Sequence, residues 1–272
     1  MNNTFNIQRF GLLLKRQWLE FGKIYLITLG VAAGVIISAY GISLWRVLIE
    51  KVQQPHVALD FREPLFLIFG FLFITVIASN YFAHLGQKPK AIIDLLIPAS
   101  TFEKFLAGIF FTAVLSSLAY LLIFFVTDLA FISKLRNMYP NRFWTYTMDA
   151  TEEKKDLITY FFSQYAPKEF VSIYVIVPFF ITSIFLLGSI YFNKYHYIKT
   201  TIVVMIFSGI WGYIIVNTAE EIFKGRVPIY RDSNIKLDNP KIWIEIGIFC
   251  IVLLITSIIW RITYQRLKEK EV

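Results

Sequence analysis

The apolar positions of this chain gather into six long stretches: Ile24 to Trp45, Leu65 to Ala83, Phe105 to Ser133, Phe170 to Phe192, Thr201 to Asn217 and Ile242 to Trp260. A hydrocarbon layer of roughly 30 Å takes about 20 apolar residues in a helix, and these stretches supply roughly 17 to 29. Their cores contain no basic residue and only two acids, Asp128 and Glu245. The pattern predicts an all-α, polytopic membrane protein with six transmembrane helices. The first stretch is too long for the apolar region of a cleaved signal and follows a long charged and aromatic segment, so it reads as a retained span.

The segments between the spans carry their own patterns. In residues 1–23, Arg9, Arg16 and Lys23 recur on one side of a helix, with Phe10, Leu13, Leu14, Trp18 and Phe21 on another. This predicts an N-terminal amphipathic helix in the membrane interface, turning into the bilayer at Gly22; a straight extension of the first span is the alternative. In the second loop, Gly86-Gln87-Lys88-Pro89-Lys90 breaks the helix, Ala91 to Ile97 allows a short amphipathic turn, and Pro98 stops it. Ser100 and Glu103 then match a capping box, which starts the third helix at about Thr101. In the long connection 134–169, Asp149-Ala150-Thr151-Glu152 predicts the start of a surface helix through Leu157, Tyr160, Phe161 and Tyr165.

Charge sets the orientation. Arg9, Lys15, Arg16 and Lys23 precede the first span; Lys88, Lys90 and Lys104 lie in or beside the second loop; Lys194 and Lys199 lie in the fourth; Arg261, Arg266, Lys268 and Lys270 follow the last span. The positive-inside rule then favours cytoplasmic termini in a bacterial plasma membrane, with 24–260 as the membrane domain and 261–272 as a tail. Trp45, Tyr81, Tyr191, Trp243 and Trp260 fall near the proposed span ends, where amphipathic rings anchor.

Composition agrees. With 57% hydrophobic and 17% charged residues, mean hydropathy of +0.59 and 272 residues, the spans and their connections leave no room for a fused catalytic domain. The net charge of +8 is spread beside the spans, which suits anionic lipid head groups and not nucleic acid.

Candidate chemistry inside the membrane is sparse. Gly30, Gly34 and Ser38 place a small residue every four positions, a helix-packing seam for another helix of the chain or another subunit. Pro178 should kink the fourth span. Asp128 and Glu245 lie within about two turns of an interface, where an acid snorkels or, for Glu245, complements a helix N-terminus; a proton-coupled carrier places its acid nearer the midplane. No P-loop, H-E-x-x-H, C-x-x-C or G-x-S-x-G motif occurs, so the sequence points to no enzyme, cofactor or metal site. If ATP is used, another chain holds it.

Three strings carry a resemblance: Ile7-Gln8-Arg9-Phe10-Gly11-Leu12-Leu13-Leu14-Lys15-Arg16-Gln17-Trp18, Leu96-Ile97-Pro98-Ala99-Ser100-Thr101-Phe102-Glu103-Lys104-Phe105-Leu106 and Ser183-Ile184-Phe185-Leu186-Leu187-Gly188-Ser189-Ile190-Tyr191-Phe192. With the six-span layout and the bent second loop, the chain resembles permease subunits of the type-2 exporter class of ABC transporters, and a group of permease-like membrane proteins of Bacteroidota. The resemblance implies a separate ATPase docked on a coupling helix within about Lys88 to Glu103, including Lys88, Lys90, Asp94, Ser100 and Glu103. It also implies a second permease copy or paralogue completing the path. A clear re-entrant helix before the sixth span, found in better-known members, is absent. A non-transporting membrane scaffold or sensor is the alternative.

Overall fold

A computed structural model describes residues 5–50, 59–86, 96–139, 143–148, 151–156, 158–165, 171–223 and 240–270. The chain opens with α1 (Ile7–Trp45), which passes into a π-turn over Arg46–Glu50, and continues with α2 (Arg62–Tyr81). Next comes α3 (Thr101–Met138), whose α-helical hydrogen bonding is interrupted by a π segment at Phe110–Leu115. Strands β1 (Phe143–Met148) and β2 (Thr151–Asp156) pair antiparallel, with Phe143 opposite Asp156 and Met148 opposite Thr151. A short α4 (Phe161–Tyr165) precedes α5 (Val171–Tyr191), α6 (His196–Phe223) and α7 (Pro240–Lys270).

Among the described residues, five helices are long and apolar enough to cross a membrane, and the chain is a multi-pass membrane protein. These lie within Ile7–Ile49, Arg62–Tyr81, Thr101–Met138, His196–Thr218 and Ile246–Lys270; α5 carries a shorter apolar stretch, Val175–Tyr191, with Pro178 inside it. Large apolar side chains face outward along α1, α6 and α7, as hydrocarbon solvent requires.

Two local expectations are corrected. First, α1 runs unbroken through Gly22, so the N-terminal segment continues into the first span without a helix break there. Gly22 leaves room for the Trp18 indole one turn earlier, with a Cβ only 3.2 Å from that ring, and Trp18 stacks on Phe111 of α3 at 6.3 Å. The glycine therefore makes room for that ring. At 39 residues α1 is about 58 Å long, so its first turns project beyond the hydrocarbon core. Second, the expected external helix from Asp149 is a β-hairpin: Thr151 and Glu152, read as its cap, are paired in β2. The β-branched and aromatic run Phe143-Trp144-Thr145-Tyr146-Thr147-Met148 favours a strand, and local pairing captured the residues that follow.

The core lies between α1, α2 and α3. Tyr25, Ile36, Tyr40 and Leu44 of α1 meet Phe73 and Ile74 of α2 and Tyr120, Phe124 and Ile132 of α3, all buried. Gly70 lets α2 approach α3 closely, because a Cβ there would sit 2.7 Å from the Tyr120 ring, and the Tyr120 hydroxyl donates to the Phe66 carbonyl at 2.9 Å. In the π segment, Tyr25 of α1 donates to the Leu115 carbonyl at 3.1 Å. A second cluster joins Tyr81, Phe82, Phe105, Phe111, Leu186, Ile190 and Leu267, so α5 packs between α2 and α7.

These contacts sort the connections onto two ends of the bundle. At one end are the start of α1, the turn after α2, the start of α3, the turn between α5 and α6 and the end of α7. Asn6 reaches Glu103, a Cβ on Gly86 would meet the Asn193 carbonyl at 3.0 Å, and Lys270 donates to Asn193. At the other end are the last turns of α1, the start of α2, the end of α3 and the hairpin. There Tyr139 donates to the Val47 carbonyl at 2.9 Å and Arg136 pairs with Asp156 at 3.0 Å.

Candidate functional site

Each end of α3 carries a carboxylate that a distant part of the chain has captured. At its N-terminus, the Ser100 hydroxyl accepts from the Glu103 amide at 3.2 Å and Glu103 accepts from the Ser100 amide at 2.8 Å, the predicted capping box. Glu103 then does more than cap its own helix. Arg9 Nε donates to both carboxylate oxygens at 3.1 and 2.8 Å, Arg9 Nη2 to Oε1 at 2.8 Å, and the Asn6 amide to Oε1 at 2.9 Å. Asn6 is the N-cap of α1, its side chain accepting from the amides of Gln8 and Arg9. One fully buried carboxylate thus joins the N-termini of two helices, where both dipoles favour negative charge, and a guanidinium completes its neutralisation. Leu13 of α1 packs with Ile97, Ala99 and Ala107 beneath this clamp, and Tyr81 of α2 donates to Gln17 of α1 nearby.

Towards the other end of α3, Asp128 is 2% exposed and Arg62, in the first turn of α2, is fully buried. Their closest contact is 3.2 Å, from Nη1 to Oδ1. The Tyr40 hydroxyl donates to the same Oδ1 at 2.8 Å, and the Phe161 amide to Oδ2 at 2.8 Å. Arg62 also donates to the Leu59 carbonyl at 3.1 Å and to the Thr159 carbonyl at 2.9 Å. The pair thus also holds the backbone of 159–161, which leads from the hairpin into α4, through the Thr159 carbonyl and the Phe161 amide. Ile158 and Phe161 are buried on either side, and the Phe161 ring lies 4.9 Å from Phe124 and 5.1 Å from Phe66. Asp128 does not snorkel to water: a buried charge needs a partner and further donors, and here it has both.

Of the residues singled out from sequence, Ser100 and Glu103 come together with Arg9. Lys88, Lys90 and Asp94 lie outside the described residues. Gly30 and Gly34 face outward, with nothing within 4 Å of a Cβ at either; Ser38 borders a shallow surface cleft with Gly41, Ile42, Ser43, Trp45 and Arg46. Among the described residues the seam therefore packs against no helix of this chain. Arg62 and Tyr40 were not anticipated; the one available signal was a basic residue just before the second span, at the same end as the Asp128 end of the third.

One node joins the starts of two helices, and the other joins the segment after the hairpin to the aromatic core. No protein-family model, curated protein or solved structure matches this chain.

Proposed function

We propose that this chain is the membrane subunit of an ATP-driven exporter of the bacterial plasma membrane, with six spans, both termini in the cytoplasm, and hydrolysis supplied by a separate ATPase chain. The carrying observation is the Glu103 clamp. The segment Lys88 to Glu103, where the partner would dock, leads directly into a carboxylate bonded to both α1 and α3. A displacement of this segment is therefore passed to two helices at once. Support for six crossings comes from the start of α1 and the end of α7 lying at the same end of the bundle, with α5 as the sixth span. Support for the orientation comes from Lys15, Lys194, Lys199, Arg266 and Lys270 at that end.

Aromatic side chains fill the space between α1, α2 and α3, so the translocation path lies at the boundary with a second copy or a paralogue. There α1 exposes Gly30, Gly34 and Ser38, where backbones approach closely. A non-transporting scaffold or sensor is the second reading, favoured by the sealed Arg62–Asp128 node.

The test is affinity purification in mild detergent. The unmodified chain should retain an ATPase, the Asp94→Lys variant should insert normally and lose it, and Glu153→Lys in the hairpin should keep it, since charge reversal at a desolvated contact costs up to about a few kcal/mol. Full retention by Asp94→Lys would remove the loop as docking site; absence of any ATPase with the unmodified chain would favour the scaffold.

A further inference from the structure

The end of α5 holds two cations on neighbouring rings. Lys199 Nζ, from the first turn of α6, lies 5.7 Å from the Phe192 centroid, and the Arg266 guanidinium carbon, from the end of α7, lies 5.7 Å from the Tyr191 centroid. The two rings meet nearly edge-on, 5.3 Å apart. Two different helices thus bring one cation each to the same aromatic pair, and the rings hold both cations without themselves adding negative charge.

The backbone around them is pinned. Lys270 donates to Asn193 Oδ1 at 3.3 Å, which ties the end of α7 to the α5–α6 turn. Tyr195 adopts a left-handed φ of 55°, making that turn tight. Below it, Gly188 lets Thr200 cross so closely that a Cβ would lie 2.0 Å from Thr200 Oγ1. Lys194 is exposed in the same turn, and Asn193 to Lys199 contains no acid. Glu269 pairs with Arg266 at 2.7 Å. Towards the membrane, the faces of α6 and α7 become apolar and exposed at once, through Ile202, Val203 and Ile206 on one and Ile258 and Ile262 on the other.

We propose that Lys194, Lys199, Arg266 and Lys270 form a binding site for the head group of an anionic phospholipid, whose acyl chains lie along the exposed faces of α6 and α7. The choice of lipid over an acidic protein rests on depth: the cations stand where the apolar faces begin, and Tyr191 and Tyr195, 61% and 72% exposed, are placed as interfacial rings. The site is independent of the exporter reading, since it needs only a membrane.

Spin-labelled phosphatidylglycerol and phosphatidylcholine, compared on the full chain in phosphatidylcholine nanodiscs, test this. The unmodified chain should bind the phosphatidylglycerol label several-fold better, and the preference should weaken at high salt. Lys199→Gln with Arg266→Gln should lower it by about fivefold per cation, while Lys199→Arg with Arg266→Lys, which keeps the charges, should retain it, as should Lys134→Gln at the opposite end. Circular dichroism and gel filtration monitor folding. Equal binding of both labels by the unmodified chain overturns the proposal, as does an unchanged preference in the folded Gln pair, or retention of an acidic protein through these cations without a lipid preference.

Discussion

Removing the Asp128 carboxylate tests the physical reading of the hairpin end. Asp128→Ala removes the buried carboxylate that the fully buried Arg62 guanidinium, the Phe161 amide and the Tyr40 hydroxyl all contact. Breaking a buried pair by deleting one member costs about 3–5 kcal/mol. In a chain of this size that lowers the melting temperature in detergent by roughly 10 °C. Asp128→Asn separates the contributions. If its oxygen stays on Tyr40 and Arg62, its amide faces the Phe161 N–H, donor against donor, so the 159–161 segment is released at a cost of about 1–3 kcal/mol. Tryptophan fluorescence melting gives stability, and limited trypsin cleavage at Lys154 and Lys155 reports release of the hairpin. Both single variants should be cleaved faster than the unmodified chain. The double variant Arg62→Met with Asp128→Leu should recover part of the stability lost in Asp128→Ala, because no unpaired charge remains. A melting shift below about 2 °C for Asp128→Ala would refute the reasoning.

Three further outcomes follow from the same geometry. Glu103→Gln should loosen the start of α1, costing about 1.5–3 kcal/mol for the charge-assisted bonds and speeding proteolysis at Arg9 and Arg16, with little change in cleavage of the hairpin. Gly188→Val should destabilise the α5–α6 crossing by about 1–3 kcal/mol in thermal melting, and Thr200→Ala in the same chain should restore part of it by emptying the space. With Cys250 replaced by Ser, an impermeant thiol reagent applied to intact cells should label Glu153→Cys and leave Gln87→Cys protected; the reverse pattern would invert the proposed topology.

What the sequence disclosed depends on how far apart the determining residues lie. Five spans were legible because bilayer thickness alone sets their length: helices long and apolar enough to cross a membrane overlap five of the six predicted stretches, while Phe170 to Phe192 meets the shorter apolar stretch Val175–Tyr191. The Ser100–Glu103 box was legible because its partners are three residues apart. Glu103 with Arg9, 94 residues away, and Asp128 with Arg62, 66 residues away, have no local signature, since a carboxylate near a span end looks the same whether it snorkels or is buried with a cation. The unbroken helix through Gly22 was not legible because composition does not say what fills the space above a glycine. The hairpin was missed because Asp149-Ala150-Thr151-Glu152 fits a helix cap, while pairing with the preceding strand made the stronger local structure.

The central claim, that a separate ATPase acts on this chain through the segment entering α3, is tested most directly by photo-crosslinking from position 94. With p-benzoylphenylalanine in place of Asp94, illumination of native membranes and mass spectrometry of the adduct should identify a chain carrying a G-x-x-x-x-G-K-[ST] motif, and the same residue in place of Glu153 should not. Crosslinks from position 94 that never reach such a chain, in membranes where the protein is abundant and folded, would contradict the account.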